Sequence, residues 1–306
     1  NYAGWYGLLG AATKARTSGR RPAAGKMSHS PTAVAVFGAG SIGRRHLRVL
    51  RDLPEAWVIA IPTRPRRCHE LNTDGYAACA TLQEAAAMGA THVIIATDTG
   101  RHRDDAVQAF QLGLEVLVEK PLAVDATSAY AICDEAAKRR RHMAVGCTLR
   151  FSESLNMFRE WVKQIGRVHS VRIECQSFLP DWRPDRPYRQ SYSARAEEGG
   201  VLRDLIHEID YAAWIFGWPT AVQGCVRNLG RLGIESDEMA ELLWTTTAGT
   251  VISVGLDYLS RMPHRRMRAS GEHGTLEWDG IIGRVKLELA EETARVFQSN
   301  QTRDGM

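Results

Sequence analysis

No stretch of this chain stays apolar for the roughly 20 residues that a bilayer-spanning helix needs, so a helical membrane anchor is not expected. Paired cysteines are missing too. Six are present, at 68, 79, 133, 147, 175 and 225, with no CxxC pair and no metal-ligand spacing. A disulfide scaffold and a cysteine-based metal site are thereby excluded, and a reduced, cytoplasmic protein without a metal is expected. A strong charge of one sign is also absent: the balance is +4. The basic runs RPRRCH (64–69), KRRRH (138–142) and RMPHRRMR (261–268) lack interleaved aromatics, so nucleic acid is not an expected partner. Residues 1–30 carry their apolar part before their positive charge, the reverse of a secretory signal, and show no periodic pattern. They are expected to be a disordered or non-native leader, with Met27 as the natural start.

What is present is an ordinary globular composition, 44% hydrophobic and 24% charged, in a chain of 306 residues, long enough for two domains. The first has an informative order. Ala33 to Phe37 form a short apolar run, then Gly38, Gly40 and Gly43 stand in GxGxxG spacing, and a helical pattern follows. That order suits a dinucleotide. The first glycine permits the turn, the second lets the backbone approach a pyrophosphate, and the third lets helix and strand pack closely. Ser41 and Ile42 open the helix whose N–H groups would meet the phosphates. Strand patterns (WVIAIP, THVIIAT, LEVLVE, HMAVGC) then alternate with helical ones (LQEAAAMG, RDDAVQAFQLG, DATSAYAICDEAAKRRR), as in a doubly wound parallel sheet.

Two strand ends carry the cofactor expectations. After the second strand the sequence runs Ile61-Pro62-Thr63-Arg64-Pro65-Arg66-Arg67, without the acid that usually takes the ribose 2′-hydroxyl. Arg64 or Arg67 would attract a 2′-phosphate, so NADP is preferred over NAD, with Thr63 in the same turn; a solvated basic loop is the plainer alternative. The turn Thr97, Asp98, Thr99 and His102 follows a later strand. It is expected beside the nicotinamide ribose, and Asp98 or Thr99 can equally cap the next helix.

The run Val116-Leu117-Val118-Glu119-Lys120-Pro121 ends a strand in an acid and a base locked against proline. Ligands bind at the carboxyl ends of such strands, so Glu119 and Lys120 are expected to face the crevice, Lys120 reaching a substrate oxygen. A surface ion pair ahead of a helix is the plainer alternative.

Together, Gly38 to Gly43, Thr97 to His102 and Glu119-Lys120-Pro121 resemble the glucose–fructose oxidoreductase/inositol dehydrogenase (Gfo/Idh/MocA) family, from residue 32 to the end of the chain. The resemblance implies an N-terminal Rossmann domain at 31–147. It also implies a C-terminal α+β domain at 148–306 with a large, mainly antiparallel sheet. It implies that Lys120 touches both nicotinamide and substrate, and that a homodimer or homotetramer forms. Family members usually continue past this chain's end, so the second domain is expected to be cut short.

In the second half, RVHSVRIECQSF, MAELLWTTTAGTVISVGLDYL, RRMRASG and GTLEWDG read as strands, with turns at 248–249 and 272–274. The segment GGVLRDLIHEIDYAAWIFGWP reads as one helix between Gly200 and Gly217. Leu202, Leu205, Ile206, Ile209, Ala213 and Phe216 share its apolar stripe, and Asp204, His207 and Tyr211 lie opposite. By periodicity that opposite face is solvent-exposed. The resemblance instead implies that Asp204 and His207 point into the cleft, His207 taking a hydroxyl proton and Asp204 orienting it. Their spacing of three differs from the four of inositol dehydrogenases. The loop LPDWRPDRPYRQSYSARAEEGG offers Trp182, Tyr188, Arg189 and Tyr192 for a polyhydroxylated or carboxylated ligand, and Arg150 is counted with them.

The expected activity is hydride transfer between nicotinamide and a secondary alcohol or ketone of a sugar, cyclitol or sugar acid. The alternatives are net non-redox sugar chemistry with a bound cofactor, such as glycoside cleavage through transient oxidation, and a non-catalytic NADP-binding sensor.

Overall fold

Five of the six residues of the first strand, β1 (Thr32–Phe37), are buried, and alternate side chains join different cores. A computed structural model describes residues 31–184, 187–302 and 305–306; the expected leader lies outside the described residues. In β1, Ala35 and Phe37 pack with Ile59, Ile95 and Val116, whereas Val34 and Val36 pack with Ala60, Leu47 and Leu71. A strand apolar on both faces belongs in a sheet covered on both faces, which is the setting of parallel sheets.

The chain divides after Gly146 into two compact units. In the first, β1, β2 (Ala56–Ile61), β3 (Ala77–Ala78), β4 (His92–Ile95), β5 (Glu115–Val118) and β6 (Met143–Val145) form one sheet in the order β3-β2-β1-β4-β5-β6. Every pairing in it is parallel. Its helices are α1 (Ser41–Arg51), α2 (Cys68–Thr73), α3 (Leu82–Ala87), α4 (His102–Gln111) and α5 (Ala126–Lys138). Thr81 and Asp125 start α3 and α5 by accepting hydrogen bonds from the N–H groups of Glu84 and Ser128. The strand order reverses between β1 and β4, and ligands of doubly wound sheets bind at that point. This is the α/β fold expected from the sequence.

In the second unit, eight strands form a sheet: β7 (Val168–Gln176), β8 (Pro219–Arg227), β9 (Met239–Thr246), β10 (Val251–Asp257), β11 (His264–Gly271), β12 (Gly274–Asp279), β13 (Arg284–Leu289) and β14 (Arg295–Gln298). Their order is β14-β13-β12-β11-β7-β10-β9-β8. The β7–β10 pair is parallel and the others are antiparallel, so the sheet is mixed but mainly antiparallel, as expected. The helices α6 (Glu153–Trp161), α7 (Val201–Asp204) and α8 (Ile206–Phe216) supply Phe158, Val201 and Tyr211 to the core formed with Ile173, Ile252, Met267 and Trp278. Val222 and Val226 of β8 and Leu243 of β9 remain exposed.

The helix read as continuous from the sequence is broken. Leu205 adopts φ −99° and ψ 30° between α7 and α8. Its burial does not follow the stripe: Asp204, Glu208 and Tyr211 are buried along with Leu205 and Ala213, while Leu202, Ile206, Ile209 and Phe216 are only partly so. Asp204 and Glu208 meet polar partners far along the chain, Tyr258 and Arg265, which compensate burial that hydrophobic periodicity would forbid.

Candidate active site

The glycine turn is built by close approach. Gly38 has φ +103°, and a Cβ there would stand 2.3 Å from the carbonyl oxygen of Ala96. At Gly43 a Cβ would lie 1.7 Å from the carbonyl oxygen of Gly38, so α1 rests directly on the turn. Gly40 is different: nothing lies within 4 Å of where its side chain would begin. The first turn of α1 has no side-chain cap and no acidic residue. Its N–H groups and positive dipole end therefore suit an anion, and Gly40 leaves room for one. By this test the residues present fit a dinucleotide.

At the end of β2, Thr63 and Arg64 are exposed. Arg67 donates to the carbonyl oxygen of Ala39 in the glycine turn at 3.3 Å and grips Glu70 at 2.9 and 3.1 Å. The Glu70 hydrogen bond holds the Arg67 guanidinium above its ordinary pKa. Glu70 also pairs with Arg44, which reaches Asp74 at 3.0 Å. Arg67 is thus tied to the turn itself, a relationship that linear spacing does not reveal.

After β4, Asp98 precedes a short 3-10 turn but makes no side-chain cap bond, so the expected capping is not realised. Thr97 instead donates to Asp105 at 2.8 Å, and Arg101 grips the same carboxylate while lying 5.3 Å from the Phe37 ring centre. Thr99 and His102 are buried. His102 stands with Nδ1 2.9 Å from the carbonyl oxygen of Pro121 and Nε2 3.1 Å from that of Thr97.

After β5, Glu119 is 7% exposed and its Oε1 lies 2.7 Å from His46 Nε2. A carboxylate only accepts, so the imidazole N–H donates. Lys120 is partly exposed, and its peptide bond to Pro121 is cis.

In the second unit, Asp204 is buried and accepts from the Tyr258 hydroxyl at 2.6 Å. Burial first, and then the Asp204 charge, raise the pKa values of Tyr258 and Tyr192, keeping both phenols protonated. His207 is the second residue of α8 and is partly exposed. The next residue, Glu208, is fully buried and pairs with Arg265 Nε of β11 at 2.7 Å. Burial alone would lower the Arg265 pKa; the Glu208 charge outweighs it and raises it.

Several residues expected to bind substrate are engaged within the unit. Arg150 clasps Asp210 with two bonds, at 2.9 and 2.6 Å. Trp182 donates to Ser177 Oγ at 2.9 Å, and both Tyr188 and Arg189 donate to the carbonyl oxygen of Leu232. That position is held from behind by fully buried Glu238, which accepts from the N–H groups of Leu229, Arg231 and Leu232. A small crevice remains, lined by Leu179, Trp182, Arg183, Tyr188, Ser191 and Ser193. Among the described residues, no cluster of His, Cys, Asp and Glu is arranged for a metal ion, and no helix is long and apolar enough to cross a membrane.

Sequence reading missed His46, Glu238, Tyr258 and Arg265. His46, Tyr258 and Arg265 lie far along the chain from the groups they serve, whereas Glu238 lies six to nine residues from the N–H groups it accepts from, in a loop without periodic pattern.

Two family models match the chain. Residues 32–147 match "Oxidoreductase family, NAD-binding Rossmann fold", and residues 158–277 match "GFO/IDH/MocA C-terminal domain". The rhizopine catabolism protein MocA of Rhizobium meliloti is 29% identical over 192 residues, 60% of this chain and 57% of that protein. Inositol 2-dehydrogenase of Leifsonia xyli is 31% identical over 196 residues, 61% of this chain and 54% of that protein. The chain thus spans little more than half the length of these two relatives. Among solved structures, the WlbA dehydrogenase of Bordetella pertussis, in complex with NADH and UDP-GlcNAcA, superposes with a TM-score of 0.77 at 20% identity. That match covers 88% of this chain and 80% of the other, and the likeness is one of fold.

Proposed function

The chain belongs to the GFO/IDH/MocA family of oxidoreductases, and from that premise we propose that it transfers a hydride between a nicotinamide cofactor and a secondary alcohol or ketone of a sugar, cyclitol or sugar acid. The observation that carries the reading is the open, uncapped anion cradle at Gly40 and α1, in the same unit as a lysine that closes β5. The nicotinamide, when bound, supplies the redox chemistry. Gly38, Gly40, Gly43 and the first turn of α1 hold the pyrophosphate. Arg64 and Arg67, with no acid ending β2, favour NADP over NAD.

The remaining work falls to the chain's own side chains. Lys120 donates to the substrate oxygen and stabilises negative charge on it as the hydroxyl proton leaves. His207 accepts that proton, since imidazole is the side chain whose ordinary pKa suits the task. Asp204, held by Tyr258, lies beside the start of α8 and orients the imidazole. Trp182, Tyr188, Arg189, Tyr192 and Arg150 shape the substrate's surroundings. A homodimer or homotetramer is part of the proposal, supported by the exposed apolar residues Val222, Val226 and Leu243 on β8 and β9.

The test is a screen of polyols, aldoses and sugar acids against both nicotinamides, followed by reduced-cofactor absorbance. Substrate-dependent reduction, stronger with NADP, is expected. Tight cofactor binding with no turnover of any of these classes would sink the oxidoreductase reading.

A further inference from the structure

The segment that carries Lys120 is fixed on both sides by histidines from different helices. On one side, His46 in the second turn of α1 holds the Glu119 carboxylate at 2.7 Å, in a contact where both side chains are mostly buried. The other Glu119 oxygen lies 3.3 Å from the backbone nitrogen of Lys120. Gly146 gives the carboxylate its space, because a Cβ there would come within 3.1 Å of it. On the other side, His102 at the start of α4 is 1% exposed, and its ring stands between the carbonyl oxygens of Pro121 and Thr97. The backbone N–H of Glu119 is itself bonded to the carbonyl oxygen of Ile95 at 2.9 Å.

We propose that His46 and His102 are positioning residues that clamp the Glu119–Pro121 segment and so set the direction of the Lys120 ammonium. The proposal deepens, and rests on, the assignment of Lys120 as the group that meets the substrate oxygen. A ring buried between two carbonyls presents no surface to a nicotinamide, so His102 acts through the segment and does not touch the cofactor. His46 has a further consequence. It rides on the helix that starts at the phosphate cradle, and its partner is the residue before Lys120. Through that one hydrogen bond the cradle and the ammonium belong to a single mechanical unit.

The test uses the full chain and the partly exposed member of the pair. His46→Ala removes the donor, whereas His46→Gln keeps an N–H that can reach the carboxylate. The first readout needs no turnover: reductive methylation of Lys120 without cofactor, followed by mass spectrometry with exposed Lys163 as internal reference. The Lys120 rate is expected to change about threefold or more in His46→Ala and to return towards wild type in His46→Gln. The second readout is kinetic. In His46→Ala, kcat should fall about 10- to 100-fold while cofactor Kd stays within about twofold, and His46→Gln should recover most of the loss.

Unchanged Lys120 labelling in His46→Ala would overturn the clamp. So would a loss of cofactor affinity that accounts for all the lost turnover, or a His46→Gln variant as impaired as His46→Ala. If the wild type turns over none of the screened sugars, the oxidoreductase reading falls, and the labelling result still decides the clamp.

Discussion

The Tyr258 hydroxyl donates to Asp204 at 2.6 Å, joining the chain just beyond β10 to the last residue of α7. Both residues are buried, so the bond works in a medium where a charged acceptor is costly to leave short of donors. Tyr258→Phe keeps the ring and removes the donor. It is expected to cost about 1.5–3 kcal/mol in denaturant unfolding, the range for a hydrogen bond to a charged group. If Asp204 serves His207, the same variant shifts the pH–turnover profile, which a purely structural bond would not do.

Gly38 and Gly40 should separate fold from function. Gly38→Ala combines a positive φ with a 2.3 Å clash against backbone and is expected to lower Tm sharply. Gly40→Ala meets nothing within 4 Å in the protein and should leave Tm almost unchanged, yet weaken cofactor binding by filling the space the pyrophosphate needs. Calorimetry of both variants with and without NAD and NADP checks this. Cofactor affinity untouched in Gly40→Ala would contradict the cradle.

The buried pair of Glu208 and Arg265 ties α8 to β11, where Arg265 stands opposite Cys175 of β7. Burial first, then Glu208, pushes the Cys175 thiol up to about 12, so it stays protonated. Arg265→Met strands the Glu208 charge and should destabilise by about 3–5 kcal/mol. The Glu208→Met, Arg265→Met double variant should be clearly more stable than Arg265→Met alone. Equal losses in the two would show that the charges do not depend on each other.

These partners explain why the first unit was more legible in the sequence than the second. In the first, Gly38, Gly40 and Gly43 stand between a strand and a helix, and each local pattern agrees with the parallel sheet around it. From 201 to 216 local pattern and fold disagree. Leu202, Ile209 and Phe216 of the apolar stripe are only partly buried, yet Asp204 and Glu208 are buried, because Tyr258 and Arg265 wait more than fifty residues further on. Hydrophobic periodicity records a side chain's own preference and not a distant partner that can reverse it. The partner of Glu119 is hidden from local pattern for the same reason: His46 lies on α1.

On the sheet face of the second unit, burial and the charges of Glu174 and Asp257 raise the Glu241 pKa above its ordinary 4.5. A carboxyl whose folded pKa is raised contributes stability while protonated and loses it as pH climbs through the folded value. Glu241→Gln is therefore expected to be more stable than wild type at neutral pH, with the difference vanishing below about pH 4.5. Thermal melts across that range read it. A constant difference at all pH values would mean that the repulsion is not the cause.

The most direct test of the account is a double-mutant cycle on Lys120 and His207, with turnover and cofactor Kd measured for each single alanine variant and for the pair. If one substrate oxygen is served by both groups, each single change should lower kcat/KM by about 100-fold or more, with cofactor Kd nearly unchanged. The pair should then lose little beyond the worse single. Near-normal turnover in either single variant, or losses that multiply in full in the double, would contradict it.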